Sequence, residues 1–263
     1  MKFKTILGAL AVSSVMASGS ALATPFTIDV NAFDTSPFPG TDGVTGLIHQ
    51  LGLNWSATSV FTDDNGVAGI NAGDSVLDTG FGSINSYLDA NAQALSGFEA
   101  NEGVGGSHLL RFDYNNLVGK VVATDGGNGI LAKYTAGQIN VYYDNTPGAV
   151  PNNDGLAMTL DVFNSTGTIG NLILFSKVSY VNPNTFFFNG VTDWNDLTVA
   201  ITSRLDFNLD PLPLTQIGNT NQYTRTATLD GSASFNVPEP GVLALMGLGL
   251  VGIGFSRRNK KQA

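Results

Sequence analysis

Cysteine is absent from the 263 residues, which excludes disulfides, thiolate nucleophiles and thiolate metal sites. Histidine is almost as scarce, with only His49 and His108. Neither sits in a Gly-x-Ser-x-Gly elbow or a His-Glu-x-x-His helix, so little is left for a catalytic triad or a zinc site. Each is expected to be a partly buried strand residue. Charged residues make up 13% of the chain and hydrophobic ones 43%, a balance that excludes a disordered acidic tail and provides for one core. Positive charge is lowest in the middle. Between Thr24 and Val237 six Lys/Arg face twenty Asp/Glu, a net charge of about −14, and that sign disfavours nucleic acid. Cations are the natural partners. There is neither a fixed-period repeat nor a composition break, so one folded domain is expected, large enough to do without covalent staples.

The two ends read differently from the middle. Lys2 and Lys4 precede an apolar stretch from Ile6 to Val15 and the small triplet Ala21-Leu22-Ala23, the three-part layout of a secretory signal peptide. Cleavage is expected after Ala23, with residues 1–23 removed and Thr24 as the first mature residue. At the other end Val237-Pro238-Glu239-Pro240 stops the preceding element, because two prolines fix φ and withhold backbone donors. An apolar run from Val242 to Phe255 comes next, then Arg257, Arg258, Lys260 and Lys261. A helix of that length reaches about 21 Å, short of a hydrocarbon core of about 30 Å. It would be a marginal transmembrane anchor. Its basic end stays cytoplasmic by the positive-inside rule, which leaves everything before Pro238 outside. A buried helix is disfavoured by Gly247, Gly249, Gly252 and Gly254, each costing up to about 1 kcal/mol relative to Ala.

Pro238-Glu239-Pro240, the short apolar segment and the basic tail resemble the PEP-CTERM sorting signal of exported bacterial proteins. The resemblance covers residues 237–263. It implies an exosortase as processing partner, a C-terminal helix that anchors the chain in the membrane until it is cut, and delivery to the cell surface or extracellular matrix. More loosely, the mature region resembles the flocculation-associated PEP-CTERM proteins, which implies a role in floc or biofilm formation with exopolysaccharide.

Residues 24–236 read as all-β. From Leu197 to Asn208, residues Leu197, Val199, Ile201, Leu205 and Phe207 alternate with polar ones, the period of a half-buried strand. Phe26–Val30, Gly52–Phe61, His108–Tyr114, Gln138–Tyr143, Leu156–Phe163, Leu172–Val181 and Tyr223–Phe235 behave alike. Asp/Asn/Gly/Pro clusters separate them, such as 125–129, 145–148 and 151–155. One stretch differs: Ile84, Tyr87, Leu88, Ala92 and Leu95 recur at helical spacing, so a short helix within Ser83–Leu95 is expected. One-sided strands without βαβ units favour a single antiparallel β-sandwich of the jelly-roll kind.

Three sets of residues could carry chemistry. Asp63, Asn65, the carbonyl of Gly69, Asn71 and Asp74 fall on positions 1, 3, 7, 9 and 12 of a calcium loop, with Asp78 as a spare ligand. Val67 and Ala68 depart from that pattern, and the alternative is a solvated Asp/Asn/Gly turn. Trp55, Trp194, Tyr142, Tyr143 and Phe186–Phe188 are either sugar-stacking platforms or core. Asn54-Trp55-Ser56 and Asn164-Ser165-Thr166 match the N-glycosylation acceptor, a weak signal in a protein of bacterial type. A hydrolase needs two carboxylates, and nothing in the spacing of the twenty singles out a pair. The expectation is therefore a non-enzymatic surface or matrix protein meeting exopolysaccharide, with a specific carbohydrate-binding module as the alternative and a secreted hydrolase third.

Overall fold

The computed structural model describes residues 23–33, 42–106, 108–145, 155–198, 200–208 and 212–237. The expected signal segment through Leu22 and the tail from Pro238, with the expected transmembrane anchor and the basic residues, lie outside them. Among the described residues no helix is long and apolar enough to cross a membrane.

The chain begins with β1 (Phe26–Ile28) and a 3-10 turn at Val30–Ala32. It continues through β2 (Gln50–Thr62), β3 (Ser75–Leu88), the four-residue helix α1 (Phe98–Asn101), β4 (Leu109–Thr124), β5 (Ile130–Asp144), β6 (Gly155–Thr168) and β7 (Asn171–Val181). Then come β8 (Phe186–Phe188), β9 (Thr192–Asp193), a 3-10 turn at Trp194–Asp196, β10 (Thr202–Asn208), β11 (Thr215–Gln216) and β12 (Gln222–Asn236). Each strand from β2 to β7 pairs antiparallel with the next, β7 pairs with β10, and β10 with β12. The circle closes where β12 returns to β2 along Gln222–Ala233.

The result is an eight-stranded up-and-down barrel and not a jelly-roll sandwich. One-sided alternation is common to both architectures, so periodicity alone does not separate them. Strand length and connection decide. Strands β2 to β7 run from 11 to 16 residues, and β6 and β7 are joined by only Ile169 and Gly170. Long twisted strands paired in sequence order coil progressively until the first meets the last, and the pairing of β12 with both β10 and β2 closes the ring.

Leu53, Ile84, Phe112, Val141, Met158 and Leu205 fill the interior, each contributing about 1.5–3 kcal/mol by leaving water. The outward residues between them, such as Asn54, Ser56, Arg111 and Asp113, reach solvent. An apolar interior and a mixed but mainly polar outer face is the reverse of a lipid-facing barrel. Two inward positions of β3 are glycine because the space is taken: a Cβ on Gly80 would lie 2.5 Å from the Tyr114 ring, and one on Gly82 would lie 2.3 Å from the Trp55 Cβ.

Helical spacing around Ile84 and Tyr87 has a different origin from the one expected. Gly52 pairs with Ser86 and Leu53 with Ile84, so Asn85 is an extra, bulged residue. A bulge advances the inward parity by one and puts inward side chains three apart within a strand. β3 therefore runs to Leu88, and Asp89 ends it by accepting the amides of Asn91 (2.8 Å) and Gln93 (2.9 Å). The one α-helix among the described residues is α1, further on.

A three-stranded sheet, β1-β8-β9, covers the end of the barrel at which β12 finishes. Phe26, Phe186, Trp194 and Phe235 form its aromatic core, with Phe26 and Phe235 edge-to-face at 5.5 Å and Trp194 5.2 Å from Phe235. The opposite end carries the loops 63–74 and 125–129.

Candidate functional site

The covered end of the barrel is also where the body of the chain begins and stops. The Thr24 amide donates to the Phe235 carbonyl at 2.9 Å, and the Val237 amide donates back to Thr24 Oγ1 at 3.1 Å. Val237 is still buried. Packing thus holds the chain up to the residue before Pro238, and the expected signal cleavage site is the bond immediately before Thr24. The segment beyond Val237 decides the fate of the chain. Residues 236–258 match the PEP-CTERM protein-sorting motif.

The PEP-CTERM motif implies export, transient C-terminal membrane anchoring and processing by an exosortase. It covers Pro238, Glu239, Pro240, the apolar run, Arg257 and Arg258, and begins on the last residue of β12. No curated protein and no solved structure matches the chain.

At the other end, the five residues expected to bind calcium are engaged in closing their own loop. Asp63 accepts the Gly66 amide (2.9 Å) and Asn65 the Val67 amide (2.8 Å). The buried Asp74 accepts from the Asp64 amide with one carboxylate oxygen (3.0 Å) and from the Asn71 amide with the other (2.7 Å). The Gly69 carbonyl accepts from Asn71 Nδ2 at 3.0 Å. Positive charge is already present: Lys120 Nζ donates to the Gly73 carbonyl at 3.0 Å and lies 3.8 Å from Asp64. Lys120 arrives from β4, which local spacing in the loop could not announce. Asp78, the spare ligand, faces away from the loop into the barrel. There the Tyr134 hydroxyl donates to it and Ser59 stands alongside. Burial pushes its carboxyl up to about 6 and pushes the Tyr134 hydroxyl well above the usual phenol range.

Among the described residues the acidic side chains that converge are Asp42, Glu99 and Glu102, with ligand atoms within 4.8 Å of one another. They come from the β1–β2 connection and from α1 and the residue after it, and no spacing rule connects them.

The aromatic candidates divide. Trp55 and Trp194 are both 4% exposed and belong to the core, as does Tyr143. Trp55 packs 4.5 Å from the ring of Phe207 across the interior. Neither Trp can stack on a sugar. His108 is fully buried, bonded to the Tyr87 hydroxyl at 3.1 Å and stacked on Tyr143. Loss of water lowers its pKa to about 4. Phe81, in contrast, is 65% exposed on the outer face of β3, a position absent from the candidate platforms because the surrounding glycines weaken the strand pattern.

Proposed function

We propose that this chain is a non-enzymatic component of the bacterial cell surface or extracellular matrix, acting with exopolysaccharide in floc or biofilm formation. The observation that carries the reading is the sorting motif joined without a spacer to a closed, polar-surfaced barrel. A body with about −14 net charge and outward Asn, Thr and Ser side chains can meet polysaccharide through hydrogen bonds and shared divalent cations. Deleting the gene tests it. Loss of flocculation and of retained exopolysaccharide is expected, and normal values of both would contradict the reading.

A second reading, a module for a particular glycan, is favoured by one observation: an exposed aromatic side chain, Phe81, on the outer wall of the barrel among polar groups such as Ser83 and Asp113.

A further inference from the structure

The outer wall of the barrel is not evenly convex. Across β12, β2, β3, β4 and β5, from Thr228 to Tyr142, lies a depression of about 580 Å³, the size of a small-molecule cleft. Its floor is Gly82, over the buried Trp55 and Phe112. Gly82 explains the hollow, because β3, without an interior side chain there, sits directly against the Trp55 Cβ and the Phe112 ring.

The rim is set by register. Asn54 pairs with Ser83, Ser83 with Arg111 and Arg111 with Tyr142, while Phe81 pairs with Asp113 one outward row away. Phe81 and Tyr142 therefore stand on opposite sides of a polar floor, two strands apart, at roughly 4.8 Å per strand. Arg111 is bonded to the buried carboxylate of Asp144, so its charge is matched within the protein. Asn54, Ser83 and Asp113 supply hydrogen-bonding groups at the surface.

We propose that this depression binds a pyranose unit of an uncharged polysaccharide. The inference rests on the proposed matrix function and gives it a site. Two aromatic faces suit the C–H faces of a sugar ring, and neutral amide and hydroxyl groups suit its hydroxyls. Within this depression an anionic polymer would meet Asp113, with Arg111 already paired to Asp144, so a uronate unit is disfavoured at this site, whatever cation-bridged contacts the rest of the surface makes.

Native affinity electrophoresis of the exported protein tests this, with dextran, galactomannan or alginate in the gel and whole exopolysaccharide extracted from the producing cells in a parallel gel. Retardation by a neutral polymer, and about tenfold weaker retardation for Phe81→Ala and Tyr142→Ala at unchanged melting temperature, is expected. Retardation that both variants retain, or retardation by alginate alone, would overturn the site and leave the matrix function standing. Binding of neither the pure polymers nor the extracted exopolysaccharide would overturn both. Phe81 is solvent-facing, so its removal leaves the barrel core intact.

Discussion

Thr24 and Val237, at the two ends of the body, are bonded to each other: the Val237 amide donates to Thr24 Oγ1 at 3.1 Å. The expected point of signal cleavage and the start of the sorting motif are therefore neighbours on one end of the barrel. The expected cleavage after Ala23 would turn the Thr24 amide into an ammonium, which could still donate to Phe235.

Thr24→Val removes the acceptor for a partly buried amide. A loss of about 1 kcal/mol is expected, read as a lower urea midpoint at unchanged slope. Faster proteolysis at the Val237–Pro238 junction should accompany it.

Asp78 makes the barrel sensitive to pH in an unusual direction. Its carboxyl is raised from 3.8 to about 6 in the native state, so the folded protein holds a proton there that the unfolded chain has released. Its contribution is greatest below pH 3.8 and is lost as pH rises through 6, on the order of 3 kcal/mol in all. Asp78→Asn should lack this term, leaving the variant more stable than the parent at pH 8. Urea unfolding between pH 3.5 and 8 measures it.

His108 works in the opposite sense. Burial holds it neutral to about pH 4 against 6.5 for the free side chain. Its contribution is complete above pH 6.5 and is lost as pH falls to 4, again on the order of 3 kcal/mol. The two terms nearly cancel in the parent between pH 4 and 6. Only the single variants expose them: Asp78→Asn should gain stability as pH rises and His108→Gln should lose it.

The loop 63–74 is expected to hold its shape without calcium, since its carboxylates and amides are joined to loop amides and Lys120 lies beside Asp64. Millimolar calcium should leave the melting temperature unchanged. Asp74→Ala, which frees two partly buried amides, should cost about 2–4 kcal/mol.

The all-β class and most strands were legible because alternation survives in the sequence wherever one face is buried. Leu205 and Phe207 in β10 point inward as their spacing requires. β3 was not legible. Gly80 and Gly82 interrupt its apolar face to make room for Tyr114 and Trp55, residues of other strands, and the bulge at Asn85 imitates a helix. Closure into a barrel depends on the register of β12 with both β2 and β10, a long-range relation with no local signature. The same applies to the candidate sites. The sorting motif is contiguous and could be read directly, whereas the Phe81–Tyr142 depression and the contacts of Asp78 exist only after five strands have been placed side by side.

Mass measurement of the protein recovered from outside the cell bears most directly on the central claim, that both ends are processing signals around an exported barrel. The expected species begins at Thr24 and lacks Arg257, Arg258, Lys260 and Lys261. A recovered chain that still carries Met1, or one that extends through the basic tail, would contradict it.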